Sequence, residues 1–103
     1  MAEHVTYLRM KVQPGKLDQL RSMMGGGAEE DRIKRMGWRS STIGARKDDP
    51  NEVWGCVVWD NSENYYKNAE SPEQNEWFQK MRAVLTADPE WFDCEVIEKR
   101  WAQ

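Results

Sequence analysis

The chain opens on an alternation of period two. From His4 to Gln13, Thr6, Leu8, Met10 and Val12 fall on one side, and Val5, Tyr7, Arg9 and Lys11 on the other. That is the spacing of a β-strand, whose successive side chains point to opposite faces. The first set predicts the face packed under helices. The second joins an aromatic ring to two cations, which suits a pocket or an interface better than bulk water. Pro14-Gly15 turns the chain, and the period then changes: from Lys16, Leu17, Leu20, Met23 and Met24 recur at helical spacing. Gly25-Gly26-Gly27 interrupts that helix, since each glycine costs a helix about 1 kcal/mol relative to alanine. The run reads as a plain loop or as a hinge beside a pocket mouth. A second helical stretch, Ala28 to Met36, places Ile33 and Met36 among charged residues that form a solvated face, and Gly37 ends it.

Trp38 to Arg46 predicts a second strand and Glu52 to Trp59 a third, joined by the turn Asp48-Asp49-Pro50-Asn51 into an antiparallel hairpin. The near-continuous apolar run Val53 to Trp59 suits a strand covered on both faces. Asp60-Asn61-Ser62 supplies cap chemistry for a short helix from Glu63 to Ala69. Ser71-Pro72-Glu73-Gln74 starts another: Ser71 caps, Pro72 needs no N–H at the first helical position, and Gln74 can close a capping box. Trp77, Phe78, Met81, Val84 and Leu85 then form one apolar helical face. Ala87-Asp88-Pro89 stops it, and Trp91 to Trp101 predicts a fourth strand.

The order β-α-β-β-α-β defines an α+β, ferredoxin-like domain with a four-stranded antiparallel sheet, spanning residues 1–103 as one unit. Right-handed crossovers put the first strand between the third and the fourth. Cys56 and Cys94 then lie on strands that are not neighbours, which argues against an intrachain disulfide and for buried structural thiols. Trp38, Trp54, Trp59 and Trp101, with Tyr7, are too much aromatic surface to leave wet on the open sheet face. The predicted cover is the sheet of a second copy in a twofold homodimer.

Composition narrows the function classes. Six tryptophans in 103 residues exceed what one small monomeric core absorbs, so a ligand pocket, a subunit interface or both should use some. A net charge of -3, from 15 basic and 18 acidic residues, disfavours a nucleic-acid footprint. The third strand also lacks the basic-Gly-aromatic motif of RNA-binding ferredoxin-like domains. The absence of a long apolar run excludes a membrane helix, and the N-terminus has no apolar signal region, which predicts a cytoplasmic protein. No metal-ligand spacing, phosphate loop or nucleophile–base pair is found.

The turn Val12-Gln13-Pro14-Gly15-Lys16, the run Trp59-Asp60-Asn61-Ser62 into Tyr65, Ser71-Pro72-Glu73, Trp77, and Ala87-Asp88-Pro89-Glu90-Trp91 resemble the antibiotic biosynthesis monooxygenase (ABM) domain of the dimeric α+β barrel superfamily. The resemblance covers nearly the whole chain. It implies a pocket in each subunit, between sheet and helices, for an aromatic or polyketide-like substrate. Some members oxygenate phenols with no cofactor, so that the substrate supplies the electrons as an anion. The protein then binds it dry and stabilises the charge. Haem-degrading relatives use an asparagine, a tryptophan and a histidine where this chain has Leu8, Asn68 and Phe78, which argues against haem chemistry.

On that reading Tyr7 and Arg9 are the catalytic candidates, stabilising a substrate oxyanion. Trp59, Asn64, Tyr65, Trp77, Phe78 and Met81 are the substrate-binding candidates. Each has a plainer reading. Trp77 and Phe78 suit core packing, Arg9 an interface ion pair, and Asn61 and Asn64 helix caps. Of Tyr65 and Tyr66, one is expected to face in and one out. His4 is expected in a loose terminal segment. The competing functions are a non-catalytic small-molecule-binding dimer and an isomerase or cyclase on the same fold.

Overall fold

The computed structural model describes residues 2–102. The elements run β1 (His4–Lys11), α1 (Leu17–Met23), α2 (Gly27–Met36), β2 (Trp38–Ala45), β3 (Glu52–Trp59), α3 (Ser62–Ala69), α4 (Pro72–Arg82) and β4 (Glu90–Glu95). They form one four-stranded sheet in the order β2-β3-β1-β4, antiparallel throughout, with β1 between β3 and β4. Cys56 and Cys94 are therefore kept on separate strands and both thiols are free. They are not the buried thiols that the apolar pattern suggests: Cys56 is half-buried and Cys94 exposed, because both project from the uncovered sheet face.

The helices cover one face only. Leu8, Met10 and Val12 from β1, Val53 from β3, Leu20 from α1, and Met81, Val84 and Leu85 at the end of α4 make the core. The period-two reading of β1 holds here: the even-numbered side chains go under the helices. Register fixes the opposite face, where Tyr7 stands beside Cys56 and Phe92, and Arg9 beside Trp54 and Glu90. Tyr7, Trp54 and Phe92 are each close to half exposed on it. The aromatic residues expected there together are split. Trp59, 2% exposed, is on the helix-covered side because it shares its face of β3 with Val57, opposite His4 and Thr6; Trp38 joins it because a bulge between Trp38 and Ser40 resets the alternation of β2.

Two boundaries differ from expectation. α1 and α2 are separated by Met24, Gly25 and Gly26, and Gly25, Gly26 and Gly27 have φ 81°, 81° and 73°, a backbone region that side-chain-bearing residues rarely adopt. The third of these glycines is also the first residue of α2. The fourth strand ends at Glu95 rather than Trp101. Val96 still donates a backbone hydrogen bond to Glu3, but Ile97 and Trp101 beyond it are 95% and 71% exposed. Among the described residues no helix is long and apolar enough to cross a membrane.

Candidate functional site

A cleft of about 780 Å³ opens between the sheet and the helices. Its floor is the inner face of the sheet, including Leu8, Ile43, Val57 and Trp59, and its walls come from α1, α2, α3 and α4. The amphipathic pattern of α4 delivers Trp77, Phe78 and Met81 to it. Ser71 fixes where that helix starts: its hydroxyl accepts from the Gln74 N–H at 3.2 Å and donates to the Asn68 carbonyl at 2.7 Å. Trp77 donates from its indole to the Met23 carbonyl at 3.2 Å, tying the end of α1 to α4. Phe78 meets Trp91 of β4 with ring centroids 6.5 Å apart. Trp59 meets Tyr65 edge-on at 6.1 Å. Gly25 and Gly26 stand at the rim, so the glycine run borders the cleft.

Of the residues singled out from sequence, the cleft brings together Trp59, Tyr65, Trp77, Phe78 and Met81. Asn64 is not among its lining residues: its amide donates to both Asp60 carboxylate oxygens at 3.1 Å, and its backbone N–H is capped by Asn61 at 2.8 Å. Tyr7 and Arg9 are on the opposite face of the sheet. This corrects their assignment to a pocket under the helices, because a strand that sends Thr6 and Leu8 into the cleft must send Tyr7 and Arg9 away from it. Tyr65 and Tyr66 both reach the cleft, where alternation along a helix predicted only one.

Arg9 belongs to a charge cluster on the outer face. Glu52, 2% exposed, accepts from Arg9 at 2.8 Å, Arg46 at 3.0 Å and the Trp54 indole at 3.0 Å. The Arg9 guanidinium lies 5.5 Å from the Trp54 ring centroid. The hydrogen bond from Arg9, followed by those from Trp54 and Arg46, holds the Glu52 carboxyl at about 2, against an ordinary 4.5.

The polar side of the cleft is built from residues outside the candidate set, His4, Thr6, Ser62, Tyr66 and Asp93. His4 is in β1 and 2% exposed, not in a loose terminus. Its ring stacks on Tyr65 with centroids 4.1 Å apart. Its Nε2 is 2.7 Å from the Thr6 hydroxyl, which donates to an Asp93 carboxylate oxygen at 2.8 Å. Thr6 has one hydrogen and gives it to the carboxylate, so it accepts from His4 Nε2–H. His4 Nδ1 then accepts from the Ser62 hydroxyl at 2.8 Å. Tyr66 donates to the second Asp93 oxygen at 2.8 Å. Burial lowers the His4 pKa, with nearby Asp93 opposing it, which keeps the ring neutral. Burial raises the Tyr65 phenol, and the bond to Asp93 raises that of Tyr66, so both stay protonated donors.

A second network closes the helix side. Arg32 donates to Glu29 at 2.6 and 3.0 Å and to the Asn68 oxygen at 2.9 Å, while the Asn68 amide donates to Gln74 at 3.1 Å. Asn68, 6% exposed, thus links α2, α3 and α4. Leu8, Asn68 and Phe78 all line the cleft, and none is a haem ligand. Among the described residues no group of three or more His, Cys, Asp and Glu is placed to hold a metal ion. The charged residues lining the cleft are Glu29, Glu30 and Asp93; no Lys, Arg or His is among them.

No family model matches the chain, and no curated protein sequence matches it. Solved structures do. The chain is similar to the monooxygenase of the gene ActVA-Orf6 of Streptomyces coelicolor in complex with nanaomycin D: TM-score 0.81, 19% identity, covering 99% of this chain and 94% of that one. It is similar to SnoaB, a cofactor-independent oxygenase from Streptomyces nogalater: TM-score 0.74, 16% identity, covering 96% and 97%. It also matches a dimeric ferredoxin-like protein from an uncultured marine organism: TM-score 0.79, 12% identity, covering 100% and 95%. The chain shares the α+β, ferredoxin-like fold of these structures, and the same fold is found in one described as a putative antibiotic biosynthesis monooxygenase from Chloroflexus aurantiacus, with TM-score 0.75 and 21% identity, covering 97% of this chain and 98% of that one.

Proposed function

We propose that this protein is a cofactor-independent monooxygenase of an aromatic or polyketide-like small molecule, acting as a homodimer in the cytoplasm. The observation that carries the reading is the cleft: about 780 Å³, with Trp59, Tyr65, Trp77, Phe78 and Met81 around it, on a fold shared with two oxygenases. Flat aromatic walls suit a flat ring system. In the reaction a substrate methylene becomes a carbonyl: one atom of O₂ enters the product, the other leaves as water, and the two hydrogens of the methylene leave with it. The substrate supplies all the electrons. The open sheet face, where Tyr7, Trp54 and Phe92 leave an uncovered apolar area, supports the dimer. The two free thiols suit a reducing compartment.

The test is oxygen uptake by purified, metal-free protein with an anthrone or a hydroxynaphthalene, together with quenching of tryptophan fluorescence. Quenching and uptake together support the reading. Quenching with no turnover of any kind makes the protein a binding dimer. The acidic polar lining of the cleft favours one other outcome, proton movement without oxygen, as in an isomerase or cyclase.

A further inference from the structure

We propose that Asp93 is the catalytic base of the cleft, taking a proton from an acidic C–H or O–H of the bound ring system, and that Thr6 and His4 position it. The inference rests on the placement of the substrate in the cleft and adds the residue that acts on it.

Four features lead there. Asp93 lines the cleft from β4, opposite Thr6 in the strand register. Both its oxygens are held by neutral donors, Thr6 and Tyr66, each at 2.8 Å. A carboxylate oxygen accepts more than one hydrogen bond, so each retains capacity toward the cleft. With the Thr6 hydrogen given to Asp93, the Thr6 oxygen accepts the His4 Nε2–H at 2.7 Å, and the Ser62 hydroxyl donates to His4 Nδ1 at 2.8 Å. The chain Ser62–His4–Thr6–Asp93 is therefore aimed in one direction and sets the carboxylate rotamer.

The contrast with Glu52 shows what such an arrangement is for. Glu52 is bound by two arginines and is spent as a base. Asp93 has neutral Thr6, Tyr65, Tyr66 and His4 around it, and no Lys or Arg lines the cleft. The same lack of cations is a difficulty for a site that clamps a preformed anion, and none for a site that makes one. When a C–H bond breaks, the proton goes to an Asp93 oxygen and the electron pair stays on the substrate. The negative charge moves from carboxylate to substrate and the total in the cleft is unchanged. The Asp93 side chain is 36% exposed, which gives solvent a route to remove the proton afterwards.

The experiment is deuterium exchange of the methylene hydrogens of anthrone, run in D₂O without oxygen on the full chain. Wild-type protein should accelerate exchange over buffer. Asp93→Asn, nearly isosteric on an exposed edge strand, should lose about 100-fold or more, the usual scale of a general base. Thr6→Val should lose part of the rate with anthrone quenching unchanged, and Thr6→Ser should restore it, which separates the hydroxyl's role from packing. Exchange that wild type does not accelerate, or that Asp93→Asn leaves intact, overturns the assignment of the base. A Thr6→Ser as slow as Thr6→Val overturns the positioning role. The result is independent of oxygenation: exchange without oxygen uptake upholds Asp93 and ends the monooxygenase reading, whereas oxygen uptake undiminished in Asp93→Asn does the reverse.

Discussion

Ile43 lies across Gly55. A Cβ on Gly55 would stand 2.7 Å from the Ile43 Cδ1 and 3.0 Å from the Leu8 Cγ, so the missing side chain of β3 is what lets β2 and β1 lay their apolar groups on the cleft floor. Gly55→Ala should push both into the cleft. The expected cost is about 1–3 kcal/mol, the range for overpacking a filled site. Urea denaturation measures it, and weaker anthrone quenching should accompany it. An unchanged urea midpoint would mean that the floor is soft.

The indole of Trp77 is both a wall and a strut. Trp77→Phe keeps the ring and removes the bond to the Met23 carbonyl. The expected loss is about 1 kcal/mol, typical of one hydrogen bond. It should come with faster amide exchange in α1, because that carbonyl is the tie between α1 and α4. Exchange altered only in α4 would contradict the strut.

Acid should destabilise the protein in two stages. Burial lowers the folded pKa of His4 below its ordinary 6.5, so the unfolded chain binds more protons than the folded one in that window. Stability is therefore complete above 6.5 and declines as pH falls toward the lowered value. Glu52, held at about 2 against 4.5, adds a second decline from 4.5 downward. Urea midpoints measured across pH should show both, and His4→Gln should flatten the upper segment alone. An upper segment that survives in His4→Gln must come from another group.

The open sheet face makes a separate prediction. Trp54→Glu puts a carboxylate beside Glu52, in the middle of the exposed aromatic area. It should shift the protein from dimer to monomer in sedimentation while leaving quenching by a cleft ligand in place. Tyr7→Phe and Arg9→Ala should likewise leave cleft binding unchanged, since both side chains are on that outer face. A wild-type protein that sediments as a monomer would end the dimer reading.

The topology was legible because each element carried its own period. Thr6, Leu8 and Met10 alternate, Trp77, Phe78 and Met81 follow a helical face, and Ser71-Pro72 marks the start of α4. Aromatic walls came from the same signal. The polar side of the cleft did not, because His4, Thr6, Ser62 and Asp93 are unremarkable one at a time, and pairing across β1 and β4 is what joins them. Tyr7 and Arg9 have the chemistry of an oxyanion site, but their own alternation with Thr6 and Leu8 places them behind the sheet. Trp38 misled for another reason: a bulge of one residue reverses which face a strand shows, and nothing in Trp38-Arg39-Ser40 announces one.

Gly25, Gly26 and Gly27 hold three successive torsions that a side chain would resist, and the first two of them line the cleft. Walls such as Phe78 and Met81 can be exchanged one residue at a time to suit a different guest. The glycine run has no such freedom, since nearly every single substitution there strains the main chain. A lineage built on this fold would thus diversify what it holds by repainting the walls, and would change the glycine border chiefly by lengthening or shortening it.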